Sequence, residues 1–275
     1  MATLWCNGEW QDSDTPAVSW SDRGLLHGLG LFETLLAVDG DPKHVDRHLA
    51  RLAKGLSRLS WALPDFDLKS AMIELLDRNG LKEGRARVRL AVTGGSGPLN
   101  ELAAGVDSKV WISATPLSDP KDSCSLGLGL WQRNEHSPLV GLKCASYAEN
   151  LVALDWAREQ GHDEVLFLNT RGNLCEAATA NLFLVLNDTL YTPSLDSGCL
   201  PGVTRELVIE LAMEAGITVR EDSLQLDDLQ RADESFLTSS TRGVVPVTQF
   251  EGRVLKAGSL TTRLAALWQD SLTPR

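Results

Sequence analysis

The segment from Lys143 to Arg205 constrains this chain more than any other. It carries a lone lysine ahead of a helical stretch, a lone glutamate inside a strand-turn-strand, and Gly202-Val203-Thr204-Arg205 opening another helix. Ser146-Tyr147-Ala148-Glu149 fits a capping box, with Ser146 taking a first-turn amide and Glu149 reaching back. Leu151, Leu154 and Trp156 follow at roughly helical spacing, and Gly161 is a natural stop. Val165 to Leu168 reads as a buried strand and Asn169 to Asn173 as a turn. Leu182 to Leu186 reads as the next strand, turned at Asn187-Asp188 toward Leu190-Tyr191. Glu176 lies between the strands among the small residues Cys175, Ala177, Ala178, Thr179 and Ala180.

These three elements fit one kind of ligand, a planar phosphorylated aldehyde with a ring nitrogen. A lysine can form an imine with the aldehyde, an acid can pair with the protonated ring nitrogen, and a helix start can cradle the phosphate. The small residues around Glu176 let a flat ring approach. The pattern therefore points to pyridoxal 5'-phosphate (PLP) and amino-group chemistry. An imine-forming lysine must lose its proton, so its pKa must sit well below about 10.4. Burial and the neighbouring cofactor would lower it. Taken singly, each residue has a plainer reading. Lys143 and Glu176 could be solvated surface charges, Tyr147 a core residue and Gly202-Val203-Thr204 an ordinary cap. Arg51 shares a helix with Arg47, Lys54 and Arg58, a basic face that is normally just solvated.

Other segments extend the pattern over nearly the whole chain. They are Ser21-Asp22-Arg23-Gly24 through Gly28-Leu29-Gly30-Leu31-Phe32-Glu33-Thr34, and His48-Leu49-Ala50-Arg51-Leu52. Lys143, then Glu176 with Asn181-Leu182-Phe183, come next. Thr192-Pro193 through Gly198 to Arg205, and Thr238-Ser239-Ser240-Thr241 before Pro246-Val247, complete the set. In this order and spacing the chain resembles the class IV aminotransferases, the fold-type-IV PLP enzymes. That family includes branched-chain and D-amino-acid aminotransferases and 4-amino-4-deoxychorismate lyases. The resemblance implies a mixed α/β, two-domain enzyme, with a smaller N-terminal domain, a larger C-terminal one and the cofactor between them. Lys143 matches the lysine that holds the cofactor and then shuttles the proton. Glu176 matches the acid facing the pyridine nitrogen, and Arg51 the arginine that grips the phosphate. Val203 and Thr204 match the helix start at the phosphate. Thr241, with Ser240, matches the second phosphate loop, and Tyr147 a residue beside the phenolic oxygen. The family also implies a homodimer with residues of both subunits near each site.

Composition bounds the alternatives. A chain of 275 residues can bury a sizeable core and make one or two domains. A net charge of −11 argues against nucleic acid as a partner. No apolar run is long enough for a transmembrane helix, and the first residues lack a signal-peptide pattern. Five cysteines with no metal-type spacing read as reduced thiols of a cytoplasmic protein, small and buried at Cys144 and Cys175, and no metal is expected. Residues 1–115 read as the N-terminal α/β domain. Its strands are Leu31 to Val38, Arg87 to Val92 and Val110 to Ala114, with a turn at Asp39 to Pro42. Its helix is Val45 to Leu59, with Leu49, Leu52, Leu56 and Leu59 inward. The polar, proline-marked stretch from Thr115 to Asp122 reads as the connection, with 116–122 as the linker, and 123–275 as the PLP-binding domain.

For the reaction, a transaminase passing an amino group to a 2-oxo acid is the first expectation. An aminodeoxychorismate-type lyase that expels pyruvate is the alternative, with Thr34 or Lys143 as its acid. A catalytically silent PLP-holding or small-molecule-binding protein is the third. Relatives often hold a substrate carboxylate with an arginine in the loop after the Arg87 strand. This chain has Thr93-Gly94-Gly95-Ser96-Gly97-Pro98-Leu99-Asn100 there, which leaves Arg242 as the candidate clamp, beside Phe32 and Thr34 as substrate contacts.

Overall fold

A computed structural model describes residues 2–14, 18–62 and 65–273. The described chain divides into two compact units. The first comprises Met1–Asp119 and Leu142–Tyr147, and the second Pro120–Gly141 and Ala148–Arg275. The lysine segment, expected with the later part of the chain, thus belongs to the first unit.

The first unit is built on a six-stranded sheet. Its strands are β1 (Thr3–Cys6), β2 (Glu9–Asp12), β3 (Gly30–Val38), β4 (Asp41–Pro42), β5 (Arg85–Thr93) and β6 (Val110–Pro116), in the order β2-β1-β6-β5-β3-β4. Every pairing is antiparallel. Alternation along β3 sends Leu31, Leu35 and Ala37 into the core, and along β5 Ala86, Val88, Leu90 and Val92. Phe32 and Thr34 on β3, and Arg87 and Arg89 on β5, therefore lie on the opposite face. Helices α1 (Arg23–His27), α2 (Val45–Arg58) and α3 (Leu68–Arg78) complete the unit. From α2, Leu52, Leu56 and the following Leu59 are buried in the core, and Leu49 packs against it half-buried. Asp39 and Gly40 both take positive φ, 50° and 77°, as a two-residue hairpin turn requires. Asp41-Pro42, expected within the turn, instead pairs with Ala37 and Val38. The strand β6 runs on through Thr115 and Pro116, because these residues still pair with Arg87 and Ala86.

The second unit is built on a nine-stranded mixed sheet. Its strands are β7 (Cys124–Arg133), β8 (Glu164–Asn169), β9 (Leu174–Ala177), β10 (Asn181–Leu186), β11 (Thr189–Pro193), β12 (Val219–Asp222), β13 (Glu234–Ser239), β14 (Gly243–Phe250) and β15 (Arg253–Val254). The order is β12-β11-β10-β13-β14-β7-β8-β9, with β15 on β14. The helices are α4 (Ala148–Glu159), α5 (Val203–Glu214), α6 (Leu226–Arg231) and α7 (Ser259–Asp270). The strand β8 is apolar without alternation because both of its faces are covered. Leu166 joins the core of Leu126, Leu182, Leu184 and Leu237, while Val165 and Phe167 pack with Ala153, Leu154 and Ala157 of α4. Among the described residues no helix is long and apolar enough to cross a membrane.

Leu56 is fully buried between α2 and the first sheet. Leu56→Ala should cost about 2–5 kcal/mol through lost burial and the cavity left behind. Denaturant unfolding monitored by tryptophan fluorescence checks this; a change under about 1 kcal/mol would mean that α2 does not cover the core.

Candidate active site

Lys143 is placed by main-chain pairing. The amide of Phe32 donates to Lys143 O at 3.0 Å, and that of Ala145 donates to Gly30 O at 2.8 Å. The lysine segment is thus a short antiparallel partner for the first residues of β3, with Leu31 bridged to Cys144. The chain passes closely here. A Cβ on Gly30 would lie 2.7 Å from Val92 O, and one on Gly28 would lie 2.7 Å from Ser146 Oγ. Gly28, at φ 63°, ends α1. The expected capping box is not formed. Ser146 Oγ donates to Gly28 O and His27 O at 3.1 and 3.4 Å, and the Glu149 carboxylate takes Arg133 at 2.5 Å. Both side chains find partners distant in sequence.

The other end of this junction is fixed by Arg23, which is fully buried. Its guanidinium donates to the carbonyls of Gly94, Gly95, Glu101 and Ala103 at 2.8, 3.2, 2.5 and 2.6 Å. Asp22 caps α1 through Gly24 N at 2.6 Å and accepts from Thr93 Oγ1 at 2.6 Å. This pair shapes the loop after β5.

The Lys143 amine stands against two rings. Nζ lies 4.6 Å from the Phe32 ring centre and 5.6 Å from that of Tyr147. The rings meet edge to face at 5.4 Å. The Arg89 guanidinium approaches the same Phe32 ring at 3.9 Å. Thr34 is half-buried and directly opposite Arg89 in the sheet register. Desolvation holds the Arg89 pKa below its ordinary value, with Tyr147 opposing and Arg87 reinforcing that shift. Arg89 was overlooked by the sequence reading, although Arg85, Arg87 and Arg89 alternate with an apolar face and so line one side of the strand.

On the other face of β3, Glu33 is buried with its carboxylate fully engaged. His48 Nδ1 is 2.7 Å from Oε2, Arg51 Nε donates to Oε1 at 2.9 Å, and Arg51 Nη2 donates to Oε2 at 2.5 Å. Burial alone would raise the Glu33 pKa, but the bonds from His48 and Arg51 outweigh it and leave the value below 4.5. Burial lowers the His48 pKa below 6.5 against the pull of Glu33, with Arg51 and Lys143 adding to the lowering. A neutral His48 facing a carboxylate must carry its proton on Nδ1. Arg51 is thereby held in a bidentate fork. Glu33 and His48 were not singled out from the sequence, where they stand beside Phe32 and Arg51 within the motifs.

The second unit gathers the other expected residues. Glu176 Oε2 accepts from Leu200 N at 2.9 Å and from Asn181 Nδ2 at 3.4 Å. Asn181 Nδ2 also donates to Leu200 O at 2.9 Å, and its Oδ1 lies where a Cβ on Gly202 would go. Gly202 starts α5 without a side-chain cap, and Val203 and Thr204 of the first turn are 3% and 4% exposed. A buried, uncapped helix start presents amide donors and a positive dipole end to an anion. Ser240 and Thr241 form the turn between β13 and β14. Arg242, expected to clamp a substrate, has partners in its own unit. It donates to Thr179 Oγ1 at 2.8 Å and Ser239 Oγ at 3.2 Å, and lies 3.5 Å from buried Glu164. The five cysteines are free. Burial pushes Cys124 up to about 12 and Cys199 to about 11, and raises Cys144 and Cys175, so they are neutral thiols.

In the second unit, the oriented carboxylate, the uncapped helix start and the hydroxyl-bearing turn suit the ring nitrogen and phosphate of PLP. In the first unit, the amine against two rings suits its aldehyde.

Residues 30–250 match the family described as Amino-transferase class IV. The chain is 30% identical over 280 residues to an aminodeoxychorismate lyase of Bacillus subtilis, covering 98% of this chain and 94% of that one. It is 28% identical over 273 residues to a D-alanine aminotransferase of Bacillus licheniformis, covering 97% and 95%. Among solved structures, a branched-chain aminotransferase of Thermoproteus uzoniensis superimposes with a TM-score of 0.90 at 28% identity, covering 98% and 93%.

The Glu33–His48–Arg51 cluster sets an acid dependence. Below pH 6.5 the unfolded chain protonates His48 while the folded protein resists, so stability falls on acidification. Glu33 adds the same sign below 4.5, and half-buried His44, whose pKa desolvation also lowers, adds to the histidine window. The melting temperature of the apoprotein should drop between about pH 7.5 and 5.5, and His48→Asn should flatten that drop. An unchanged slope in the variant would assign the dependence to other groups.

Proposed function

The chain belongs to the class IV aminotransferases, a family of PLP-dependent enzymes, and we propose that within it this protein is an aminotransferase. It would move an amino group from an amino acid or amine to a 2-oxo acid. The observation that carries the reading is that the Arg89 guanidinium and the Lys143 amine both contact the Phe32 ring. Amino acids and 2-oxo acids share a carboxylate next to the reacting carbon. A guanidinium held on the same aromatic ring as the reactive amine suits that carboxylate.

Roles follow residue by residue. Lys143 would hold the cofactor covalently and move the substrate α-proton through Nζ. Phe32 and Tyr147 pack against that amine, and Tyr147 would stand beside the phenolic oxygen. Glu176, oriented by Leu200 N and Asn181, would hold the proton on the ring nitrogen. Arg51, the Val203-Thr204 helix start and the Ser240-Thr241 turn would take the phosphate. When bound, PLP supplies a protonated ring that draws electron density from the substrate α-carbon. The protein's task is to fix the ring, the proton donor and the carboxylate relative to one another.

A lyase is the second reading, and Thr34 favours it. Its hydroxyl is half-buried on the Phe32 face of the sheet, opposite Arg89, where it could give a proton while pyruvate departs. A second copy of the chain is the proposed partner. Trp20, Leu25, Leu26, Leu99, Leu102 and Val106 are exposed on two segments joined by the Ser21–Ser96 hydroxyl contact at 2.8 Å and the Arg23 bonds. An apolar surface of this kind marks an interaction site. Leu25→Glu should convert a dimer to a monomer in sedimentation velocity; a wild-type monomer would remove the partner proposal. The five free thiols suit a reducing compartment, and the cytoplasm is the one proposed.

Borohydride reduction and peptide mapping should place the pyridoxyl label on Lys143. A label on Lys82 or Lys256 overturns the assignment. Glu176→Gln should lower kcat by about 10²-fold or more while PLP binding changes less, the pattern for a preorganised charge acting in the transition state. Spectral change with an amino donor, recovered on adding a 2-oxo acid, indicates transfer. Pyruvate release from aminodeoxychorismate without that half-reaction indicates the lyase, and neither response indicates a binding protein.

A further inference from the structure

We propose that Arg242, Thr179 and Glu164 form a brace that fixes the Ser240-Thr241 turn relative to Glu176, making them positioning residues for the cofactor site. The inference rests on the reading above, in which Thr241 takes the phosphate and Glu176 the ring nitrogen.

Glu164 begins β8, and its side chain is 1% exposed. A carboxylate this deep needs charge and hydrogen-bond compensation. Thr179 N donates to Oε2 at 3.3 Å, Thr179 Oγ1 donates to Oε1, and the Arg242 guanidinium completes the cluster. The direction of the bonds is fixed by chemistry. A guanidinium only donates, so the Thr179 hydroxyl accepts from Arg242 Nη2 and passes its own hydrogen to Glu164.

The brace joins two turns. Thr179 lies in the turn between Glu176 and Asn181, which themselves form a hydrogen bond. That turn is held to the body of the unit: Ala177 N donates to Ala180 O at 2.8 Å, Ala178 N to Val165 O at 3.0 Å, and Asn150 Nδ2 to Ala178 O at 2.6 Å. Arg242 directly follows Thr241, and its Nε also takes Ser239 Oγ at 3.2 Å. One rigid guanidinium therefore ties the hydroxyl-bearing turn to the segment that carries the ring-facing acid. Lysine could keep the charge but not reach three acceptors in one plane.

The test compares Arg242→Met, Arg242→Lys and Thr179→Val with wild type, and uses Thr241→Ala to check the underlying reading. Apoprotein is titrated with PLP. The visible circular dichroism of the bound cofactor, the melting temperature of the apoprotein and the donor KM at saturating PLP are then measured. Arg242→Met and Thr179→Val should each weaken PLP binding about tenfold or more, the scale of one buried charged hydrogen bond, and alter the dichroism band. Donor KM should change less than about threefold, since uniform substrate binding is untouched. Arg242→Lys should restore part of the affinity. Thr179→Val carries the test if Arg242→Met does not fold. A raised KM with normal PLP affinity would make Arg242 a substrate clamp and overturn the brace. A lowered melting temperature alone would make the cluster an ordinary buried ion pair and overturn it as well. Weakened PLP binding in Thr241→Ala without an effect at Arg242 or Thr179 overturns the brace but keeps the site. Unchanged binding in Thr241→Ala overturns the phosphate reading and the brace with it.

Discussion

Two main-chain hydrogen bonds carry the arrangement of the first unit: Phe32 N to Lys143 O, and Ala145 N to Gly30 O. They attach a segment more than a hundred positions later in the chain to the first residues of β3. Because the contact is backbone to backbone, its register fixes the position of the lysine to within a residue. The same strand then sorts its side chains by alternation. Phe32 and Thr34 fall on the face with the amine, and Glu33 falls on the face with His48 and Arg51. One strand thus addresses both an amine and a guanidinium, and a slip of one residue would exchange the two sets.

Much of this was legible in advance where the signals are local. The strands β3, β5, β8 and β10 and the helices α2 and α5 follow from alternation, apolar runs and turn residues. What escaped was long-range. Nothing local in Lys143-Cys144-Ala145 tells that it pairs with β3. The Ser146-to-Glu149 pattern is shared by capping boxes and by unrelated residues with other partners, and here Gly28, His27 and Arg133 claim them. The contact of Arg242 with Glu164 spans 78 positions and leaves no local signal. Arg89 could have been found, since three arginines at every second position mark one strand face. Its contact with the Phe32 ring, which Lys143 also touches, needed the fold.

The buried charges share a logic. Glu33, Glu164, Arg23 and Arg205 are each nearly inaccessible, and each is answered by several partners from different segments. Such groups add little net stability over apolar replacements, but removing one partner is severe because a bare charge remains. They act as junctions that hold loops in one arrangement.

Arg23 differs from the others in what it binds. Its guanidinium grips carbonyl oxygens of the loop from Gly94 to Ala103, and every amino acid has a carbonyl oxygen. The loop's path is therefore largely independent of the side chains it displays at non-glycine positions such as Leu99 and Asn100. Substitutions there can change charge and bulk while the backbone keeps its course. A single inward arginine so fixes the loop's backbone from within and leaves its outward side chains to form the exposed apolar surface.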